Sequence, residues 1–252
     1  MALHVPSTPS TNTLLQHMIA DGRLETYLTG HKQQRDLFTI YTYDQTAGRG
    51  QAGNHWESEP GKNLTFSTLF DIKEIPVEQQ FLLCELVPVA IKNVLQPLIT
   101  KGGEIKIKWP NDMYYEDKKL GGILIEHNII DGRIDSSIAG IGLNINQTVF
   151  VSDAPNPVSL KQITGKEYNL PRLLDDIIDE FKRTKPLIHR SRELKELYMG
   201  SLFRRDVYYP YIADGSVFEA AITDVAGNGT ITMTTRQGKK RQFTFKEIKY
   251  VI

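Results

Sequence analysis

Cysteine is nearly absent: Cys84 is the single one in 252 residues. One thiol excludes an intramolecular disulfide and any cysteine-cluster metal site, and its apolar neighbours mark it as a packed core residue. The six histidines form no HxxxH or HExxH pair, so no zinc site is expected. Net charge is also missing, since thirty basic residues balance thirty acidic ones. A nucleic-acid or anionic-membrane partner calls for a basic footprint, so neither partner is expected. The longest apolar segment, Phe81 to Ile99, is interrupted by Glu85, Lys92, Asn93, Pro88 and Pro97, which argues against a membrane span. The opening MALHVPSTPS has neither a basic start nor an apolar centre. No signal peptide is expected there, and the expected compartment is the cytoplasm. Neither an internal repeat nor a low-complexity segment is visible.

What the chain does have is a glycine-rich stretch from Thr46 to Thr65, TAGRGQAGNHWESEPGKNLT. It contains no long apolar run and cannot bury itself. Its glycines allow close backbone approach, and successive exposed N–H groups can form an anion-binding nest. Arg49, flanked by Gly48 and Gly50, projects a guanidinium from the most deformable part. The stretch reads as a loop that orders around a phosphate-bearing ligand, with Trp56 as a hydrophobic cover. A glycine-rich turn after a strand is structural more often than functional, so its company downstream decides the reading.

Taken in order, Ser10-Thr11-Asn12 precedes Leu14, Leu15, Met18 and Ile19 and predicts an N-capped amphipathic helix ending at Asp21-Gly22. Leu37 to Tyr43 is a strand leading into the glycine loop, and Asn63 to Phe70 is an alternating strand beyond it. Val77 to Ile99 is a helix expected to bend or break near Pro88 and Pro97. Glu104 to Lys108 is a short strand, with Lys106 on a solvated face. Trp109-Pro110-Asn111-Asp112 turns the chain into Met113 to Tyr115. Leu120 to Ile130, the turn Asp131-Gly132 and Ile134 to Ile145 form a hairpin. Val149 to Lys166 reads as loop and Pro171 to Leu197 as a long helical region with Leu173, Leu174, Ile177, Ile178 and Phe181 on one stripe. From Val207 only short strands and the turns Asn228-Gly229 and Gln237-Gly238 remain, a small antiparallel barrel of about five strands.

Three stretches beyond the glycine loop carry chemistry. Lys108-Trp109-Pro110-Asn111-Asp112 separates a cation from a carboxylate by a rigid turn. Lys118-Lys119-Leu120-Gly121-Gly122-Ile123-Leu124-Ile125-Glu126 brings two lysines into a strand that has little side chain on one patch. Gly140 and Gly142, two apart in GIGLNIN, share a strand face. Gly122, Gly140 and Gly142 together suggest a floor without Cβ atoms against which a flat ligand can lie. Bulges and tight sheet–helix packing are the structural alternative for each of them.

GRGQAGNHW, KWPND, KKLGGILIE and GIGLNIN, in that order after an STN, resemble the biotin protein ligases, also called biotin–[acetyl-CoA-carboxylase] ligases. The resemblance implies an α/β (α+β) catalytic domain, residues 1–200, of the class II aminoacyl-tRNA synthetase-like type, with a mixed central sheet and flanking helices. A small SH3-like barrel, residues 201–252, would follow. It implies that ATP and biotin give biotinyl-5′-AMP and pyrophosphate, and that biotin then passes to one lysine of a biotin carboxyl carrier protein. By this resemblance Ser10, Thr11 and Gln45 hydrogen-bond the ureido ring, and Gly48, Gly122, Gly140 and Gly142 border the biotin. Arg49 and Lys119 touch its carboxylate and the phosphate. Gly50, Gln51, Trp56, Asn111 and Asn144 lie on the nucleotide side, Asn144 reading adenine and Trp56 shielding the adenylate. Lys108 and Asp112 belong to the ATP, magnesium and acceptor side, with Mg²⁺ held mainly by ATP near Asp112 and no dedicated metal ligands. Asp112 is also the nominated base for the acceptor lysine, whose amine has an ordinary pKa of about 10.4.

Two departures matter. Gln51 stands where many relatives have a second arginine, which removes a charge from the phosphate side and predicts faster loss of the intermediate. The STN begins at Ser10, leaving no room before it for the DNA-binding winged helix of some relatives, so no DNA binding is expected. A homodimer is compatible with the resemblance. Rival readings are a lipoate or octanoate protein ligase of the same fold, against which KWPND and KKLGGILIE speak, and a binding-only module, against which Arg49, Lys119 and Asn144 speak.

Overall fold

Ser10 starts the first helix, α1 (Thr11–Ala20), because its side chain accepts a hydrogen bond from the Thr13 N–H. Gly22, at φ +77°, ends that turn in the left-handed region. A second helix, α2 (Arg23–His31), follows at once and was not foreseen. The computed structural model describes residues 2–31, 34–50, 54–73, 75–100, 102–152 and 156–251.

The strands of the main sheet are β1 (Leu3–His4), β2 (Thr39–Thr42), β5 (Leu64–Phe70), β6 (Ile105–Lys108), β7 (Asp112–Tyr115), β8 (Lys118–Ile130) and β9 (Arg133–Leu143). Between β2 and β5 lie two short strands, β3 (Gly48–Arg49) and β4 (His55–Trp56), which pair only with each other. The main sheet runs β1-β2-β5-β9-β8-β7-β6. It is mixed, because β1 pairs with β2 in parallel while the other neighbours are antiparallel.

Helices cover both faces. On one, α1 and α2 bury Leu15, Met18, Leu24 and Leu28 against Phe38, Ile40, Leu69 and Ile138. On the other lie α3 (Leu82–Leu95), α5 (Leu170–Thr184) and α6 (Ser191–Gly200). A short helix α4 (Leu160–Thr164), capped by a Ser159–Gln162 capping box, interrupts the segment read as loop. Because both faces are covered, all seven residues of β5 are buried. The polar residues of its alternation do not meet solvent, as an alternating strand suggests: Ser67 bonds Thr11 and Asn12 of α1, and the Thr65 hydroxyl donates to the Thr42 carbonyl of β2. The expected stripe of α5 is buried as read. The helical region splits at a 3₁₀ turn, Lys185–His189, around Pro186.

The apolar helix also departs from its expected form. It begins at Leu82, after a separate 3₁₀ turn, and runs unbroken through Pro88. A proline there removes one ladder hydrogen bond, and burial of ten of the helix's residues offsets that loss. The stretch Val77–Leu98 is long and apolar enough to cross a bilayer, but 61% of its most apolar window is buried inside the fold. Its apolar surface is the core.

The segment after α6 closes the β6 edge. Ile107 donates to the Ser201 carbonyl at 2.8 Å, and Phe203 donates to the Ile107 carbonyl at 2.9 Å. The chain then forms a five-stranded antiparallel sheet from β10 (Tyr209–Ala213), β11 (Ser216–Val225), β12 (Ile231–Thr235), β13 (Lys240–Phe243) and β14 (Lys249–Tyr250). Its order is β13-β12-β11-β10-β14. Trp109 fastens this sheet to the main body, stacking on Phe245 at 5.2 Å and donating its indole N–H to the Gly229 carbonyl at 3.0 Å.

Candidate functional site

Strand register brings the three chemistry-bearing stretches together. Asp112 of β7 lies opposite Gly122 of β8, which lies opposite Gly142 of β9, which lies opposite Thr65 of β5. Gly140, two residues back, faces Leu124 and Ser67. The row is bare of Cβ atoms where it matters. A Cβ on Gly142 would run into the Trp56 indole, and one on Gly140 into the Asn12 amide. At Gly122 the nearest groups are the Asp112 carboxylate and the Lys119 ammonium, 3.4 Å from where a Cβ would be.

Above this floor lies a cavity of about 160 Å³, and beside it a second of about 700 Å³. Asn54, His55, Trp56, Asp112 and Lys119 border both. Trp56 and the Asp112–Lys119 pair are therefore the wall between them.

The smaller cavity begins at the first turn of α1. Gln45 Oε1 accepts from the Thr11 N–H at 3.0 Å and from the Thr11 hydroxyl at 3.3 Å. The Ser67 hydroxyl sits 2.7 Å from Thr11 Oγ1 and 2.5 Å from Asn12 Oδ1. The Asn12 amide in turn donates to Glu126 at 2.7 Å. Ser10, Thr11 and Gln45 thus meet at the lining of the smaller cavity. Gly48 lies under the β3–β4 arch, where a Cβ would come 2.6 Å from the Trp56 carbonyl. Gly50 donates its N–H to the Asn54 carbonyl at 2.7 Å and closes that arch. Gln51 lies outside the described residues.

The cations are distributed unequally. Lys119 Nζ pairs with Asp112 at 2.9 Å, both side chains being about a quarter exposed. Arg49 pairs with Glu126 at 3.2 Å at the mouth of the smaller cavity. Lys108 reaches the larger cavity from β6, and its burial pulls its pKa down, with Lys119 and Arg204 adding to the effect against Asp112. Asn111 is buried at the smaller cavity and donates to the Ile123 carbonyl. Asn144 lines the larger cavity, but its amide N–H₂ faces the Lys119 and Val158 carbonyls at 3.4 and 3.3 Å. Trp56 lies over Gly142, with the Lys119 ammonium 5.9 Å from its ring centroid.

Several residues at the site were not singled out from sequence. Asn12 is the third residue of the STN and Glu126 the last of KKLGGILIE, and both were signalled only by lying inside those motifs. Glu57 gave no signal. Its carboxylate accepts from the Val151 and Ser152 N–H groups at 3.0 and 2.8 Å and from Gln147 at 3.0 Å. Burial raises its pKa, yet those donors outweigh it and leave a net lowering. Glu57 thereby fastens the exit of the arch to the rim of the larger cavity. Among the described residues no three His, Cys, Asp or Glu side chains cluster as a metal site would need. Asp112, engaged by Lys119, and Glu57, engaged by Val151, Ser152 and Gln147, are the carboxylates lining the larger cavity among the described residues.

Residues 5–146 match the biotin/lipoate A/B protein ligase family. The bifunctional ligase/repressor BirA of Bacillus subtilis is 32% identical over 183 residues, which cover 69% of this chain and 55% of that protein. The biotin–[acetyl-CoA-carboxylase] ligase of Mycobacterium tuberculosis is 28% identical over 177 residues, covering 67% of this chain and 64% of that one. The chain thus spans about half the length of the BirA proteins it matches. Among solved structures, the biotin protein ligase of Aquifex aeolicus in complex with biotin and ATP covers 99% of both chains with a TM-score of 0.77 at 20% identity, a likeness of fold. With more than half its length inside the family match, and the motifs of that match gathered on one glycine floor, the chain belongs to the biotin/lipoate A/B protein ligase family.

Proposed function

We propose that the chain is a biotin–[biotin carboxyl-carrier protein] ligase that makes biotinyl-5′-AMP and then biotinylates one lysine of a carrier domain. The observation that carries this reading is the Lys119–Asp112 pair in the wall between the two cavities. Adenylation has to bring a carboxylate and a polyphosphate, two anions, to one point. A cation shared by both compartments suits that need, because positioning and charge compensation are most of phosphoryl-transfer catalysis.

In this reading biotin occupies the smaller cavity, its ureido ring at Ser10, Thr11 and Gln45 and its rings over Gly140 and Gly142. A buried polar ring left unpaired would cost about 1–3 kcal/mol per group, and this end of the cavity offers the partners. The nucleotide occupies the larger cavity, beside Lys108 and Asn144 and against Trp56. A carboxylate oxygen attacks the α-phosphorus, the bond to the bridging oxygen breaks and pyrophosphate leaves. Lys119 and Arg49, the latter released from Glu126, follow the charge. In the second step the acceptor amine attacks the acyl carbon, AMP leaves and Asp112 takes the proton. Trp56 and the arch keep water from the mixed anhydride.

Residues 1–200 act as the catalytic domain and 201–252 as its β appendage. A cytoplasmic setting, where ATP is plentiful and Cys84 stays reduced, suits the reaction. The test is to incubate the chain with ATP, Mg²⁺, a carrier domain and either biotin or lipoate, and to weigh the carrier. A mass increase for biotin alone is expected. An increase for lipoate alone, or none for either, sinks the reading.

A further inference from the structure

Lys108 is the cation of this site that no carboxylate among the described residues holds within 4 Å, although Asp112, its partner across β6–β7, lies close enough to oppose the lowering of its pKa. Its ammonium lies 4.9 Å from the Tyr114 ring centroid and 4.8 Å from that of Tyr250. Among the described residues it makes no ion pair, whereas Lys119 is paired with Asp112 and Arg49 with Glu126. The distinction is physical. A carboxylate neutralises the charge it holds, but a ring face attracts a cation through its quadrupole and leaves the full charge available to an incoming anion.

The two rings come from different sheets. Tyr114 is on β7 of the main sheet; Tyr250 is on β14, next to the chain end, and lies opposite Tyr211 in β10. Phe203, in the segment between the sheets, packs on both, with centroids 5.5 Å from Tyr114 and 6.3 Å from Tyr250. The Tyr250 hydroxyl is buried and has no hydrogen-bond partner among the described residues. The ring, then, and not the hydroxyl, is what the site uses.

We infer that Tyr250 is a positioning residue of the nucleotide site: with Tyr114 it clamps Lys108 as an ammonium outside any ion pair, lining the larger cavity and ready for a polyphosphate oxygen. The second sheet thereby completes a site built on the first. This inference rests on placing the nucleotide in the larger cavity, but not on which acid is activated.

The experiment is calorimetric titration of the full chain with α,β-methylene-ATP and Mg²⁺, alongside titration with biotin, for wild type, Tyr250→Phe and Tyr250→Leu. Tyr250→Leu should weaken nucleotide binding about tenfold and leave biotin binding unchanged. Tyr250→Phe, which keeps the face and drops an unpartnered hydroxyl, should bind nucleotide like wild type and melt no lower. Equal weakening in both variants overturns the clamp, as does no weakening in either, or parallel weakening of biotin in Tyr250→Leu. A wild-type chain that fails to bind the analogue overturns it too. One that binds the analogue yet attaches no biotin to a carrier sinks the ligase reading and leaves the clamp standing.

Discussion

Arg49 and Glu126 meet at 3.2 Å across the mouth of the smaller cavity, and the same Glu126 carboxylate accepts from the Asn12 amide at 2.7 Å. The guanidinium of the glycine loop is therefore tied to a network that runs back through Asn12 to Ser67. A half-exposed pair of this kind is worth about 0.2–1 kcal/mol. Any anion that recruits Arg49 has to outcompete it. Glu126→Gln keeps an acceptor for Asn12 and removes the charge holding Arg49. It should tighten binding of a biotinyl-AMP analogue by about twofold to fivefold at low salt, with the gain shrinking as salt rises. Calorimetry at two ionic strengths checks this, and weaker binding by the variant at low salt would show that Glu126 helps Arg49 to engage the ligand.

Gly140 and Gly142 share a face but answer to different neighbours. A methyl at Gly142 meets the Trp56 ring, which belongs to the short arch and is only half-buried; a methyl at Gly140 meets Asn12, which is 4% exposed and tied to Ser67 and Glu126. Overpacking costs about 1–3 kcal/mol where the neighbour cannot yield. Gly140→Ala should lose about that much in urea unfolding, and Gly142→Ala less than about 1 kcal/mol. Gly142→Ala should instead shift the tryptophan emission to the red as Trp56 lifts. Reversed stabilities would mean that Trp56, and not Asn12, is the rigid partner.

The sequence carried the site further than it carried the fold around it. Period-two alternation puts Gly140 and Gly142 on one face, but the register from the Asp131-Gly132 turn would set Gly122 opposite Ile141, and only a bulge between Asn128 and Ile129, which spacing does not announce, brings Gly122 opposite Gly142. Spacing alone cannot say that Lys119 and Asp112 share a salt bridge, because a bulge between Met113 and Tyr114 changes the register just there. Helix α2 escaped because RLETYLTGH carries only two buried side chains, Leu24 and Leu28, too weak a stripe to read. Pro88 misled in the other direction, since tertiary burial overrode a local breaker. The Tyr250–Lys108 contact links residues 142 positions apart in sequence, and no local pattern encodes it.

Asp112 holds Lys119 at 2.9 Å, so its substitution separates two roles. Asp112→Asn retains an oxygen that can accept from Lys119 and so keeps the cation near the wall. It cannot take a proton. Pyrophosphate release in single turnover should fall less than about tenfold, while transfer from preformed biotinyl-AMP to a carrier domain should fall by about a hundredfold or more. Equal losses in the two half-reactions would leave Asp112 as an anchor for Lys119 and nothing else.

Glu85 lies in α3 at 3% exposure, with Oε2 unpartnered among the described residues. Burial pushes its pKa from 4.5 up to about 7, Lys195 opposing and Asp224 reinforcing the shift. Lys195 and Asp224 are themselves paired at 2.7 Å between α6 and β11, so Glu85 sits behind the joint of helix layer and second sheet. The sign follows from proton counting. Between pH 4.5 and about 7 the folded chain holds a proton on Glu85 that the unfolded chain has released. This contribution to stability is therefore complete below pH 4.5, is lost as the pH rises to about 7, and is flat above. Its full size is on the order of 3 kcal/mol. Glu85→Gln has no such titration, so the stability difference between wild type and variant should change by about that amount between pH 4.5 and 8, in favour of wild type at the acid end. Urea unfolding of both proteins at half-unit pH steps measures it, and a difference that stays constant with pH would mean that Glu85 is ionised inside the folded chain.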